Sequence, residues 1–264
     1  MEDVDKPAGK DNGVERWTYH NHLREYLLLV ARKGRMALES MERFPKKIEL
    51  STDWHEMLDV VRRATKDGKE RWALVGVKHE KTALLLPTIP AVGYDSYVPS
   101  EVMKKEIDRA RDGFGIVDLV GDVHSHPRDF AERALQKLPV LNQLGLKGQF
   151  SAGDYYGMIV PGKARAFMGV VEGGYNLFAF RTKQTQDLPI DPAMFNQDSF
   201  EKFWYEKFGF RYLGGVEKYG AYRAVPISGS ADSVAMNAAI VERHKLVLYQ
   251  GAEGKDLVRI YPKR

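Results

Sequence analysis

His124 and His126 stand two residues apart in the run Gly121-Asp122-Val123-His124-Ser125-His126-Pro127. A strand is expected over residues 116–126, and along a strand side chains two apart share a face. Both imidazoles can therefore reach one ion, while Ser125 points the other way and Pro127 ends the strand. The 264-residue chain has no cysteine, which excludes disulfides, thiolate metal sites and a cysteine nucleophile together. A metal must then be held by nitrogen and oxygen, and an imidazole pair is a natural start for a zinc site that takes a third protein ligand and leaves a position for water. Asp154 is the candidate third ligand. It lies in Ser151-Ala152-Gly153-Asp154, which reads as the first turn of a helix. A Ser N-cap with an acid three residues on is also an ordinary capping arrangement, and taken alone that reading is the stronger. Downstream of the paired histidines the balance reverses, because the same turn can aim the carboxylate at a metal.

These groups need a scaffold, and the chain supplies alternating element types. Residues 47–50 read as a short strand; Ser51 or Thr52 then caps a helix to about residue 66, which Gly68 closes. Trp54, Met57, Leu58 and Val61 form one apolar stripe on it. A strand over 71–78, a tight connection at 79–81 and a hairpin partner at 82–86 follow. Pro99 and Ser100 open a second helix over 101–111, ended by Asp112 and Gly113. After the histidine strand and a long connection come the helix over 151–159 and strands over 164–172 and 175–182, joined by a tight turn at Gly173-Gly174. This order implies an α/β sheet flanked by helices.

The flanks are less informative. Residues 1–16 are polar and read as a disordered leader. Residues 17–43 look helical, with Leu23, Leu27 and Val30 at spacings of four and three and Gly34 as an interruption. In a helix His20 and His22 would diverge, so His20-Asn21-His22 carries no site. Residues 186–192 read as a linker. An aromatic-rich helix over 200–208, a helix over 233–243 and a closing hairpin complete the chain.

Together, His124-Ser125-His126-Pro127 and Ser151-Ala152-Gly153-Asp154 resemble the JAMM (MPN+) zinc metalloprotease motif, His-Ser-His-Pro then Ser-x-x-Asp. That motif belongs with an upstream Glu on an earlier strand. Glu70 opens Glu70-Arg71-Trp72-Ala73-Leu74-Val75-Gly76, which is similar to the family's Glu-x-x-Gly-Leu pattern with Ala73 in place of its Gly. Glu80 competes but falls in the expected hairpin turn. The resemblance covers residues 47–183. It implies a JAMM-like (cytidine-deaminase-like) mixed sheet flanked by helices, with N- and C-terminal extensions. The implied layout is a leader and helix over 1–45, the metallopeptidase (MPN) domain over 46–184 with an insertion at 128–150, and an accessory region over 185–264.

The resemblance also implies roles: Zn2+ on His124, His126 and Asp154, Glu70 as catalytic base and later proton donor to the departing amine, and Ser151 as donor to the developing oxyanion. The expected reaction is hydrolysis of a peptide or isopeptide bond in a protein or peptide substrate, a ubiquitin-like conjugate among the candidates. Ser125 is read as fixing the loop. The insertion is longer than the family usually has, and Phe130, Ala134, Leu135 and Leu138 give it helical spacing. A lid and a packed structural insertion both stay open, while Asp129 and Glu132 read as a solvated face. Phe200, Phe203, Trp204 and Phe208 read as core or as a recognition surface.

Composition narrows the alternatives. Forty basic and 36 acidic residues nearly cancel to +4, and although the pI is about 9.0, Lys and Arg are dispersed, which disfavours nucleic acid. No apolar run approaches the roughly 20 residues of a membrane span, and the leader lacks the apolar core of a secretory signal, so a cytoplasmic protein is expected. A zinc deaminase is excluded with its cysteines. A non-catalytic scaffold of the same fold remains, disfavoured because such scaffolds usually lack the ligand set, as does a DNA-associated branch supported by the pI alone. Substrate identity and oligomeric state are open.

Overall fold

The computed structural model describes residues 16–18, 23–65, 68–78, 84–85, 91–92, 100–126, 150–159, 166–187, 196–214, 224–227 and 232–262. The rest of the leader, His20-Asn21-His22, the turn with Glu80 and the end of the expected linker lie outside the described residues. So do insertion residues 128–149, with Asp129, Phe130, Glu132, Ala134, Leu135 and Leu138.

The strands are β1 (Arg16–Thr18), β2 (Lys47–Glu49), β3 (Arg71–Lys78), β4 (Leu84–Leu85), β5 (Ala91–Val92), β6 (Ile116–His126), β7 (Phe167–Glu172), β8 (Tyr175–Phe180), β9 (Phe210–Tyr212), β10 (Ala224–Pro226), β11 (Val247–Ala252) and β12 (Leu257–Tyr261). Among the described residues ten of them form one sheet in the order β1-β2-β12-β11-β8-β7-β6-β3-β4, with β5 also on β3, while β9 and β10 pair separately. The sheet is mixed: β6 runs parallel to β7 and β1 parallel to β2, and the remaining pairs are antiparallel. The helices are α1 (Arg24–Lys33), α2 (Thr52–Ala64), α3 (Ser100–Phe114), α4 (Ala152–Ile159), α5 (Lys183–Asp187), α6 (Gln197–Lys207) and α7 (Ser233–Arg243).

Burial on both faces explains why β3 reads as a near-continuous apolar run. On one face the stripe Trp54, Met57, Leu58 and Val61 of α2 shares a core with Val75, Val123, Phe167 and Phe178, and α1 joins it. On the other face there are two separate clusters. Tyr155 and Met158 of α4, Phe200 and Trp204 of α6 and Ile240 of α7 pack with Val170, Leu177 and Leu248. Val102, Met103, Ile107 and Ala110 of α3 pack with Trp72 and Leu74. Strand alternation turns His124 away from the Val123 core, onto the face where these two clusters leave β6 between them.

An α/β sheet flanked by helices is therefore what the chain builds; shifts of a few residues aside, it departs from expectation in three places. The helix expected over 17–43 is shorter: Trp17 lies in β1, paired with Ile48, and α1 stops where Gly34 takes φ 58. The helix expected to end at Asp112-Gly113 continues to Phe114, because the left-handed residue that caps it is Gly115 (φ 66). Finally, β11 and β12 come from the stretch set apart as an accessory region, yet they occupy the sheet interior between β8 and β2. The sheet that carries the histidines thus runs through residues beyond 185, and Gln186 and Asp187 close α5 where a linker was expected. Of the aromatic helix, Phe200 and Trp204 are core and Phe203 is exposed. Among the described residues no helix is long and apolar enough to cross a membrane.

Candidate metal centre

Strand β6 ends between two neighbours. On the antiparallel side Trp72 pairs with His124; on the parallel side Val170 pairs with His124 and Glu172 with His126. Ser125, fully buried on the opposite face, accepts a hydrogen bond from the Arg71 backbone N–H at 2.8 Å. Continuing the β3–β6 register two residues from Trp72 brings Glu70 level with His126 and on its face. Glu70 is buried, and its charge acts on both imidazoles.

Helix α4 delivers the carboxylate. The Asp154 backbone N–H donates to Ser151 Oγ at 3.2 Å, and the Ser151 N–H donates to Asp154 Oδ2 at 2.7 Å. This is a reciprocal capping box. It leaves Asp154 Oδ1 3.3 Å from His124 Nε2, with Oδ2 3.7 Å from His126 Nε2. Capping and ligation, competing readings of the sequence, are thus compatible in one side chain. The start of α4 is itself clamped: Tyr155 OH donates to Asn237 Oδ1 at 2.7 Å, and Asn237 Nδ2 donates to the Phe150 carbonyl at 3.2 Å.

The electrostatics suit a cation. Burial opposes a charge on His124, but the Asp154 carboxylate outweighs it, with help from Glu70, and its pKa is raised. Burial likewise opposes a charge on His126, yet Glu172, Asp154 and Glu70 push its pKa up to about 9. Burial works against the Asp154 carboxylate too; the two imidazoles and a hydrogen bond from Ser151 nonetheless hold it well below the usual carboxylate range. Two imidazoles among three carboxylates make a negative site that would favour a dication as it favours protons.

His124, His126 and Asp154 form a group able to hold a metal ion, their ligand atoms all within 4.8 Å of one another. The two Asp154–imidazole distances bracket the roughly 3.4 Å edge of a tetrahedron with bonds of about 2.1 Å. His124 Nε2 is buried from solvent and faces Asp154 Oδ1 at 3.3 Å, as two ligand atoms sharing one ion would. No family model, curated protein or solved structure matches this chain. Its chemistry is read from these residues alone.

The structure brings His124, His126, Asp154, Glu70 and Ser151 into one neighbourhood. It adds Glu172, whose Oε2 lies 3.4 Å from His126 Nδ1. Sequence reasoning missed it because an acid at the end of a strand reads as a solvated residue beside the Gly173-Gly174 turn. Only the parallel β6–β7 register, which follows from strand–helix–strand order, would have placed it beside His126.

Proposed function

We propose that this chain is a zinc-dependent hydrolase of JAMM type that cleaves a peptide or isopeptide bond. The observation that carries the reading is the convergence of His124, His126 and Asp154, with Glu70 buried on the same sheet face and its charge acting on both imidazoles. Two nitrogens and one oxygen from protein suit a catalytic zinc site, which keeps a position open. Zinc held there would supply Lewis acidity and lower the pKa of water toward about 7.

The chain's own residues supply the rest. Glu70 is buried beside both imidazoles and would accept a proton from the attacking water, then deliver it to the departing amine. The Ser151 hydroxyl accepts from the Asp154 N–H, and its own proton, which the Asp154 carboxylate also attracts, would turn to an oxyanion. Ser125 has no part as a nucleophile, since it faces β3. The substrate class follows from the resemblance: a protein or peptide, with a ubiquitin-like conjugate the first to try.

Elemental analysis of wild-type, His126→Ala and Glu70→Gln protein tests the reading, followed by peptide and isopeptide substrates. One zinc per wild-type chain is expected, lost in His126→Ala and kept in Glu70→Gln, with hydrolysis lost in both variants. Folded wild-type protein that takes up no zinc when it is supplied would sink the hydrolase and leave a scaffold of the same architecture.

A further inference from the structure

We infer that Glu172 is a positioning residue for this metal centre, its carboxylate holding His126 Nδ1–H so that Nε2 keeps its lone pair for the ion. The inference rests on the metal reading above and extends it to a residue that no motif marks. Glu172 ends β7 and pairs in parallel register with His126, so the two side chains stand beside each other on one face. Its Oε2 lies 3.4 Å from Nδ1, and the side chains are 14% and 16% exposed, so the contact is largely shielded from solvent. Across the Gly173-Gly174 turn Glu172 also pairs with Tyr175 of β8. The carboxylate is therefore carried by the sheet itself.

The chemistry follows from the donor inventory. A neutral imidazole has one N–H and one lone pair, and an ionised carboxylate can only accept. A carboxylate at Nδ1 therefore selects the Nδ1–H tautomer and leaves Nε2 as the ligand atom. Nε2 is the nitrogen that faces Asp154 Oδ2. Glu172 approaches the far side of the ring, so it stands behind the ligand, and it is absent from the group whose ligand atoms converge. An acceptor in this place also raises the basicity of the ligating nitrogen. Losing such a partner typically weakens metal binding about 10- to 100-fold.

The test is the affinity of the full chain for Zn2+ and Co2+, by competition with a chromophoric chelator at one fixed pH. Solvent exchange of the His126 Nδ1–H proton is followed in the zinc-loaded protein. Glu172→Ala is expected to weaken both metals by about 10- to 100-fold, alter the Co2+ absorption spectrum and speed the exchange. Glu172→Gln, which can still accept a hydrogen bond but lacks the charge, should fall between Glu172→Ala and wild type. A folded Glu172→Ala protein with wild-type affinity, spectrum and exchange overturns the role of Glu172 and leaves the metal centre standing. If Glu172→Ala does not fold, Glu172→Gln decides: weaker affinity at unchanged stability supports the role, and parity with wild type in affinity and exchange overturns it. Wild-type protein that binds neither metal overturns the centre itself, and this role with it.

Discussion

The backbone N–H of Arg71 ends its ladder on a side chain, donating to Ser125 Oγ at 2.8 Å across the β3–β6 pair. That bond fixes the first residue of β3, and the residue before it is Glu70. Ser125→Ala leaves a buried N–H without its acceptor, a loss of roughly 1–3 kcal/mol. The urea midpoint should fall accordingly, and hydrolysis should fall more than zinc affinity, since Glu70 is disturbed and the ligands are not. Unchanged stability would show that the N–H finds another partner.

Ser151→Ala separates a cap from a catalytic donor. The variant loses the acceptor for the Asp154 N–H but keeps its own N–H bond to Asp154 Oδ2. Stability should drop by about 1 kcal/mol, with zinc content intact. If the hydroxyl also serves an oxyanion, kcat falls by roughly 10²–10³. A stability loss with an unchanged rate reduces Ser151 to its capping role.

Gly121 leaves room on β6 for the Phe167 ring to lie across it. A Cβ there would lie 2.3 Å from the Phe167 ring, and that ring is wedged by Trp54 at 5.6 Å and Phe178 at 5.8 Å between centroids. Gly121→Ala is expected to cost about 1–3 kcal/mol through overpacking. Combining it with Phe167→Leu should recover part of the loss in thermal melts. Strict additivity of the two changes would argue against the clash.

Asn237 links the C-terminal helix to the metal side. Asn237→Leu leaves the Phe150 carbonyl and the Tyr155 hydroxyl without their partner, at roughly 1–3 kcal/mol for each buried group. The same change frees the turn that presents Asp154, so zinc affinity should fall although Asn237 is no ligand. A variant that loses stability but keeps wild-type affinity would uncouple α7 from the centre.

His244 gives the fold an acid limit. It is buried against Phe200 and Trp204; burial first, and Arg243 beside it second, push its pKa down to about 4. The unfolded chain takes up this proton near pH 6.5 and the native state only near 4. Stability is therefore whole above pH 6.5 and is lost as pH falls between the two values, by on the order of 3 kcal/mol. The difference in denaturation free energy between wild type and His244→Gln should change over that window. A constant difference would mean that His244 is hydrated.

Much of this was legible in local patterns. The stripe on α2, the whole of β3 and the histidine strand follow from periods of 3.6 and 2, and Ser51 and Gly68 bracket α2. What escaped were facts about pairing. Trp17 joins a strand because β2 offers it an edge, which no helix period reveals. The central places of β11 and β12 and the adjacency of Glu172 to His126 depend on which strands meet in space. Of the candidate site, the meeting of His124, His126 and Asp154 was readable because strand and cap spacing are local; Glu172 was not, because its partner lies 46 positions away on another strand.

The insertion of β12 beside β2 bears on how the molecule is made. Asp256 accepts from the Leu50 N–H, 206 positions away, and pairs with Lys47 at 2.8 Å. A nascent chain therefore carries β2 and β8 as open edges until residues 247–261 have left the ribosome, and such edges invite pairing with other chains. Contacts of this span make folding slow. Because α4 waits for Asn237 as well, the candidate metal site would be among the last parts to settle during synthesis.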